Sequence, residues 1–177
     1  MPIVLLAAPL IPIGYLLFIK KWDTVFLLGE RKAGKDTLLH ILKGDGFQEN
    51  YLALGQAQRV SIRIKWKKID IINTAGTDIA GTEEFKYTKY TIRCYVFDSA
   101  KYGDNKRIRL GIQNTINEVK SLPNNKKIKY VALGTRAADI KNKDEIENEV
   151  RSMGIKCKIF ELSDNPQKEV IEFLFKE

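Results

Sequence analysis

Residues 24–39 read TVFLLGERKAGKDTLL, an apolar run followed by a glycine-containing loop and the beginning of a helix-forming segment. The loop, residues 29–35, has the spacing G-x-x-x-x-G-K. In that spacing backbone N–H groups surround phosphate oxygens, Gly34 allows close approach, Lys35 reaches the terminal phosphates, and the helix turns its positive end towards the anion. The stretch therefore predicts a strand, a phosphate-binding loop and a helix in succession.

The residue after this lysine is Asp36, where a Ser or Thr hydroxyl normally binds the Mg²⁺ ion of a nucleotide. A carboxylate so close to phosphates repels them, while Thr37 offers a hydroxyl one place later. We expect both side chains to contribute to a Mg²⁺ site. The expected nucleotide contacts of the loop are Gly29, Lys32, Ala33, Gly34, Lys35, Asp36 and Thr37.

Downstream of Asp23, strand-like apolar runs alternate with segments of helical period, which indicates an α/β domain with a mainly parallel sheet. We predict strands at Thr24–Leu28, Arg59–Lys65, Lys68–Ile72, Cys94–Phe97, Lys129–Leu133 and Lys156–Leu162. We predict helices at Lys35–Lys43, Glu83–Thr91, Asn105–Ser121, Lys143–Met153 and Gln167–Phe175. The second and third strands are nearly contiguous and should form an antiparallel hairpin, because a parallel pair needs a longer connection. The predicted fold is a three-layer sandwich of the P-loop type, with a mostly parallel six-stranded sheet, one antiparallel edge strand and helices on both faces.

Composition restricts the function classes. A chain of 177 residues suits one domain, and its net charge of +8 favours anionic partners. Cys94 and Cys157 each lie in an apolar, strand-like run, which indicates buried free thiols rather than a disulfide. His40 has no other Cys or His near it in sequence, which argues against a zinc site.

Residues 2–19, PIVLLAAPLIPIGYLLFI, carry no charge and are followed by Lys20, Lys21 and Trp22. Eighteen helical residues span about 27 Å, which is close to the thickness of a bilayer core. We predict a single-pass membrane anchor and its flank at residues 1–22, with the domain at residues 23–177 in the cytoplasm under the positive-inside rule. A cleaved signal peptide and an interfacial or soluble segment stay open as alternatives.

Further segments make the chain from Thr24 onward resemble the Ras-like and Arf-like small GTPases. The stretch IDIINTAGT, residues 69–77, resembles the family's strand and D-x-x-G element, in which the Asp holds a water bound to Mg²⁺ and the Gly amide contacts the γ-phosphate. Asn73 stands at the Asp position and Gly76 at the Gly position. The resemblance thus implies Asn73 as a third Mg²⁺ residue and Gly76 as a nucleotide contact.

A second register of this element, with Asp78 and Gly81 in the two key positions, stays open. Both registers place a threonine where the family uses Gln to orient the attacking water, Thr77 in the first of them. Thr77 is therefore one catalytic candidate. Arg31 is the other, because it stands near the transferring phosphate, where many Ras-like members have Gly; a bulky residue without a role is the alternative.

Two segments resemble the base-binding elements of the family. In YVALGTRAAD, residues 130–139, Thr135 and Arg136 match the first two positions of the N/T-K-x-D element, but the fourth is Ala138 and Asp139 follows one residue later. The stretch ELSDN, residues 161–165, resembles the S-A-K loop that closes over the base. The resemblance implies that the base contacts are Thr135, Arg136, Asp139 and Ser163.

Together these features predict a membrane-anchored protein that binds GTP and GDP and acts through contacts with a protein partner. The Mg²⁺ hydroxyl, the strand-end Asp, the water-orienting Gln and the switch Thr are all replaced or missing, so we expect slow or absent hydrolysis. Two alternatives stay open. The GKDT sequence also resembles nucleoside monophosphate kinases, and a nucleotide-independent pseudo-GTPase could dock an acidic partner on its basic hairpin, residues 59–68. No module for nucleic-acid binding is present in the sequence, and we expect none to bind.

Overall fold

A computed structural model describes residues 22–48, 58–64, 67–74, 90–103, 105–120 and 127–176. The strands are β1 (Thr24–Leu28), β2 (Gln58–Ile64), β3 (Lys67–Asn73), β4 (Tyr90–Asp98), β5 (Lys127–Thr135) and β6 (Lys156–Ile159). The helices in these ranges are α1 (Lys35–Lys43), α2 (Lys106–Lys120), α3 (Lys143–Ser152) and α4 (Gln167–Phe175). Short 3-10 turns occupy Ser99–Lys101, Ala137–Asp139 and Leu162–Asp164.

The strands form one sheet in the order β2-β3-β1-β4-β5-β6. Only the pair of β2 and β3 is antiparallel among the pairs of this sheet, and β2 lies at its edge. Because the other five strands run in one direction, their ends define a carboxyl edge and an amino edge of the sheet. The predicted fold class is confirmed, including the antiparallel edge strand.

Alternate residues of the central strand β1 point to opposite faces of the sheet, and both faces are covered. Val25 and Leu27 join the apolar core beneath α1 and α4, whereas Phe26 and Leu28 join the core beneath α2 and α3. Burial on both sides explains why TVFLL shows no polar alternation. On α2 the apolar residues Ile108, Ile112 and Ile116, spaced four apart on one face of the helix, are buried. Burial of each such side chain contributes about 1.5–3 kcal/mol.

One predicted helix boundary is wrong. Tyr90 and Thr91, expected to end the helix Glu83–Thr91, belong instead to β4, which begins four residues before Cys94. The charge of Arg93 concealed this part of the strand. Arg93 is fully buried, and its Nη1 lies 2.8 Å from Oε1 of Glu118 on α2. Residues 83–89 of the predicted helix lie outside the described residues.

The strand predicted to reach Leu162 is also shorter than expected. β6 ends at Ile159, and Leu162 begins a 3-10 turn whose N-cap is Glu161. Cys94 and Cys157 are buried free thiols, as predicted. Burial raises the pKa of Cys157 to about 12.

The expected membrane anchor at residues 2–19 lies outside the described residues. Within the ranges that the structure does describe, no helix combines the length and the apolar character needed to span a bilayer.

Candidate functional site

The glycine-containing loop joins β1 to α1 at the carboxyl edge of the sheet. Gly29 has a φ of 125°, and a Cβ atom there would lie 2.0 Å from the backbone oxygen of Val96 on β4. Gly34 has a φ of 87°, and its Cβ would lie 3.0 Å from Cγ2 of Thr135. Both glycines are therefore required, the first by close approach to a strand and the second by the turn into the helix.

The first turn of α1 receives no side-chain cap. Gly34 occupies the N-cap position and has no side-chain oxygen to accept from the backbone N–H groups of the first turn. These N–H groups point along the helix axis towards the loop, which is the arrangement that binds phosphate at helix N-termini.

Lys35 lies across the inside of the loop. Its Nζ donates hydrogen bonds to the carbonyl oxygens of Gly29 at 2.8 Å and Glu30 at 2.7 Å, and the side chain is buried. Burial lowers the pKa of this ammonium to about 8, although the neighbouring carboxylates of Asp36 and Glu30 oppose the shift. The ammonium is thus largely stripped of water and held where phosphate oxygens could replace the two carbonyls.

Two further cations of the loop face solvent. Arg31 and Lys32 are exposed, and Lys32 has a φ of 63°, in the left-handed region that non-glycine residues seldom adopt. Glu30 is directed to the opposite side, where its Oε2 accepts a hydrogen bond of 3.1 Å from Nδ2 of Asn105, just before α2. This contact, which the sequence did not predict, links the loop to the next layer.

Two of the three residues expected at a Mg²⁺ site are in contact. Asn73 ends β3, next to β1, and its Nδ2 donates a hydrogen bond to Oδ1 of Asp36. The Asn73 side chain is buried, and its Oδ1 accepts no hydrogen bond from any described residue. Thr37 follows on α1 and is half-buried.

The chemistry of this set fits Mg²⁺, which prefers carboxylate, amide and hydroxyl oxygens. Rotation of the Asn73 amide would turn its unsatisfied Oδ1, in place of Nδ2, towards Asp36. Among the described residues no three His, Cys, Asp or Glu side chains converge on one point, so phosphate oxygens or water would have to complete the coordination.

The segment that follows β3 is only partly described. Thr74 bonds to β1 through both its backbone N–H and its hydroxyl, which donate to Leu27 O at 3.1 and 2.9 Å. Gly76 and Thr77, together with the alternative register at Asp78 and Gly81, lie outside the described residues.

The predicted base-binding residues lie beside the phosphate loop. The hydroxyl of Thr135, at the end of β5, is 3.2 Å from the carbonyl oxygens of both Ala33 and Phe97. Arg136 has a φ of 59°, and its Nη1 is 3.7 Å from Oδ2 of the buried Asp98. The loop after β5 is therefore tied to both the phosphate loop and β4.

Asp139 is the last residue of the 3-10 turn after β5, where it is exposed and its N–H donates to the carbonyl of Arg136. Ala138, at the position where the family has Asp, donates its N–H to Oε2 of Glu161 at 3.0 Å. Oε1 of Glu161 accepts from the N–H and the hydroxyl of Ser163 at 3.2 and 2.8 Å.

Glu161 is the residue that the sequence-based prediction missed. The sequence predicts it in a strand, yet its carboxylate contacts the turns Ala137–Asp139 and Leu162–Asp164, the two segments predicted to contact the base and here called the base loops. The contact with Ser163 is local, two residues along the chain, but the short side chains that usually form such bonds are Ser, Thr, Asn and Asp. The bond from Ala138, 23 positions away, has no local signal.

The chain matches no protein-family model and no curated protein sequence. A functional proposal therefore depends on the geometry of this site and on the motifs that form it.

Proposed function

We propose that the chain is a membrane-anchored guanine-nucleotide-binding protein, similar to Ras-like and Arf-like small GTPases, with slow or absent GTP hydrolysis. The observation that supports it most is Lys35, a buried ammonium bonded to the carbonyls of a glycine loop. That loop lies at the carboxyl edge of a mainly parallel sheet, where ligands of such folds bind.

In this proposal the phosphates bind at the loop. The uncapped N–H groups of α1 and the Lys35 ammonium contact them, and the exposed Arg31 and Lys32 add positive charge. Thr135, Arg136, Asp139 and Ser163 surround the nucleoside, on loops that contact the phosphate loop at Ala33 and Gly34.

Asp36, Thr37 and Asn73 would hold Mg²⁺, which neutralises phosphate charge when bound. The carboxylate comes from the helix in this chain, whereas in the family it comes from the strand. Asn73 is neutral and gives poorer support to a Mg²⁺-bound water than an Asp. Since Thr77 also replaces the water-orienting Gln, we propose that the chain works through contacts of its nucleotide-bound states with a partner protein rather than through rapid turnover.

The first test is the identity of the nucleotide that copurifies with the full chain when none is added, followed by calorimetry with GTP, GDP and ATP. We expect GDP or GTP. ADP or ATP would favour the kinase alternative. If no nucleotide copurifies and calorimetry shows no binding, our proposal is wrong and the pseudo-GTPase alternative is favoured.

A matched pair of variants tests the role of the loop. Lys35→Met should weaken GDP binding about 100-fold, because charged hydrogen bonds to phosphate contribute about 1.5–3 kcal/mol. Lys43→Met removes a lysine from the opposite, exposed end of the same helix and should leave the dissociation constant within about twofold. Equal losses in both variants would contradict a specific role for Lys35.

A further inference from the structure

One carboxylate connects the two loops on the base side of the site. Glu161 lies between β6 and the Leu162–Asp164 turn, and it accepts from Ala138 on one loop and from Ser163 on the other. We call these contacts the Glu161 bridge. The N–H of Ala138, and next the hydroxyl and N–H of Ser163, hold the pKa of the Glu161 carboxyl below its ordinary value, although partial burial opposes the shift.

The bridge requires both oxygen atoms of the Glu161 carboxylate to be hydrogen-bond acceptors. Oε2 faces the N–H of Ala138 and Oε1 faces the two donors of Ser163, so each oxygen must accept. An amide of the same size has one acceptor and one donor group. Whichever way it turned, its NH₂ group would face a backbone N–H, so the hydrogen bond from either the Ala138 N–H or the Ser163 N–H would be lost.

The loops that the bridge connects also contact the phosphate loop. A Cβ atom on Gly34 would lie 3.0 Å from Thr135 Cγ2 and 3.3 Å from Leu162 Cδ1. Thr135 and Leu162 thus lie beside Gly34, the N-cap residue of α1.

Ala138 gives the bridge its importance in this chain. A methyl side chain at this position cannot form a hydrogen bond to Ser163 or to a base. The backbone N–H of Ala138 is the group that connects this turn to the other loop, and Glu161 is its acceptor.

We propose that Glu161 is a positioning residue for the nucleoside half of the ligand. Its carboxylate fixes the Ala137–Asp139 and Leu162–Asp164 turns at the separation that a bound base needs, without contacting the phosphates. This inference rests on the proposed nucleotide binding, and it adds a residue that separates affinity for the nucleoside from affinity for the phosphates.

The test compares GDP with inorganic pyrophosphate as calorimetric probes of the full chain in detergent. Glu161→Gln should weaken GDP binding about tenfold and change pyrophosphate binding less than twofold. Glu161→Asp keeps the charge but loses the reach to Ala138, so we expect the same pattern. Glu145→Gln, an exposed residue in the first turn of α3, is the matched control and should change neither constant.

Three results would overturn the inference. The first is that the binding of GDP and the binding of pyrophosphate weaken equally in both Glu161 variants, which would indicate a structural role alone. The second contrary result is that both dissociation constants stay at their wild-type values in the Glu161 variants. A wild-type chain that binds neither probe would remove the inference together with the proposed function, and that failure is visible before any variant is made. Melting temperatures of all variants without ligand identify any that do not fold, and Glu161→Asp provides the comparison if Glu161→Gln does not.

Discussion

Lys35 combines a buried position with an ionisable ammonium group. Its ammonium is bonded to two carbonyl oxygens, which are weaker partners than carboxylate or phosphate. Burial lowers the pKa of Lys35 to about 8, so this ammonium loses its proton at a lower pH than an exposed lysine does. Phosphate oxygens would relieve the cost of desolvation by supplying a full negative charge.

This shift predicts a pH dependence of nucleotide affinity. Because phosphates require the charged lysine, the apparent dissociation constant for GDP should rise about tenfold from pH 7 to pH 9 as the free ammonium with a pKa of about 8 loses its proton. Calorimetric titrations over this range measure it. A flat profile would show that Lys35 does not set the affinity, and Lys43→Met should follow the wild-type profile.

The contribution of Lys35 to the stability of the unliganded chain should increase with pH, whereas the affinity for GDP should decrease. The pKa of Lys35 is lower in the folded state than the ordinary lysine value of 10.5, so the unfolded chain binds more protons between about pH 8 and 10.5. The contribution of this lysine therefore becomes more favourable to folding as the pH rises through that window.

Elements with strong local signals were predicted with their bounds. β1, α1 and α4 begin and end where the sequence placed them. A left-handed glycine lies at each end of α1, Gly34 and Gly44, and such residues mark helix boundaries without help from distant contacts. β4 was predicted less well because the burial of Arg93 depends on Glu118, 25 positions away on α2, and no local pattern reveals that partner.

The same limit applies to the candidate site. The spacing of glycines and lysine predicted the loop, because backbone geometry alone requires it. The contact between Asp36 on α1 and Asn73 on β3, and the bridge at Glu161, join residues that are distant in sequence. Their partners become neighbours only after the sheet has assembled, so the motifs identify positions but not the hydrogen bonds that complete them.

The ion pair between Arg93 and Glu118 should stabilise the attachment of α2 to β4. Glu118→Gln would remove the negative charge that faces the fully buried guanidinium and should lower the free energy of unfolding by about 3 kcal/mol. Urea denaturation followed by fluorescence measures the change. Replacement of both partners by Met and Leu should recover most of it, because apolar groups need no countercharge.

A second ion pair provides the control for this prediction. Arg109 and Glu149 have the same separation, 2.8 Å, but side chains that are 40% and 43% exposed. Glu149→Gln should therefore shift the urea midpoint much less than Glu118→Gln does. Equal shifts would mean that burial does not determine the contribution of the Arg93 pair.

The two edges of the sheet have separate roles in this arrangement. The phosphate loop and the base loops lie at the carboxyl edge, whereas Trp22 enters β1 at the amino edge and is buried there. Nζ of Lys129 lies 6.0 Å from the centre of the Trp22 ring and donates to the carbonyls of Leu174 and Lys176 at 3.0 and 2.7 Å. The five residues of β1 separate the two edges by about 17 Å.

This separation predicts that membrane attachment and nucleotide binding are independent. Deletion of residues 1–21 should abolish flotation with liposomes, since the proposed anchor at residues 2–19 is removed. It should leave the dissociation constant for GDP within about twofold, because Trp22 and the amino edge of the sheet are retained. The full chain with Lys35→Met should show the converse, flotation without GDP binding. If the chain without residues 1–21 still floats, the anchor is not at residues 2–19. If that chain loses GDP binding while its melting temperature is unchanged, the two edges of the sheet are coupled.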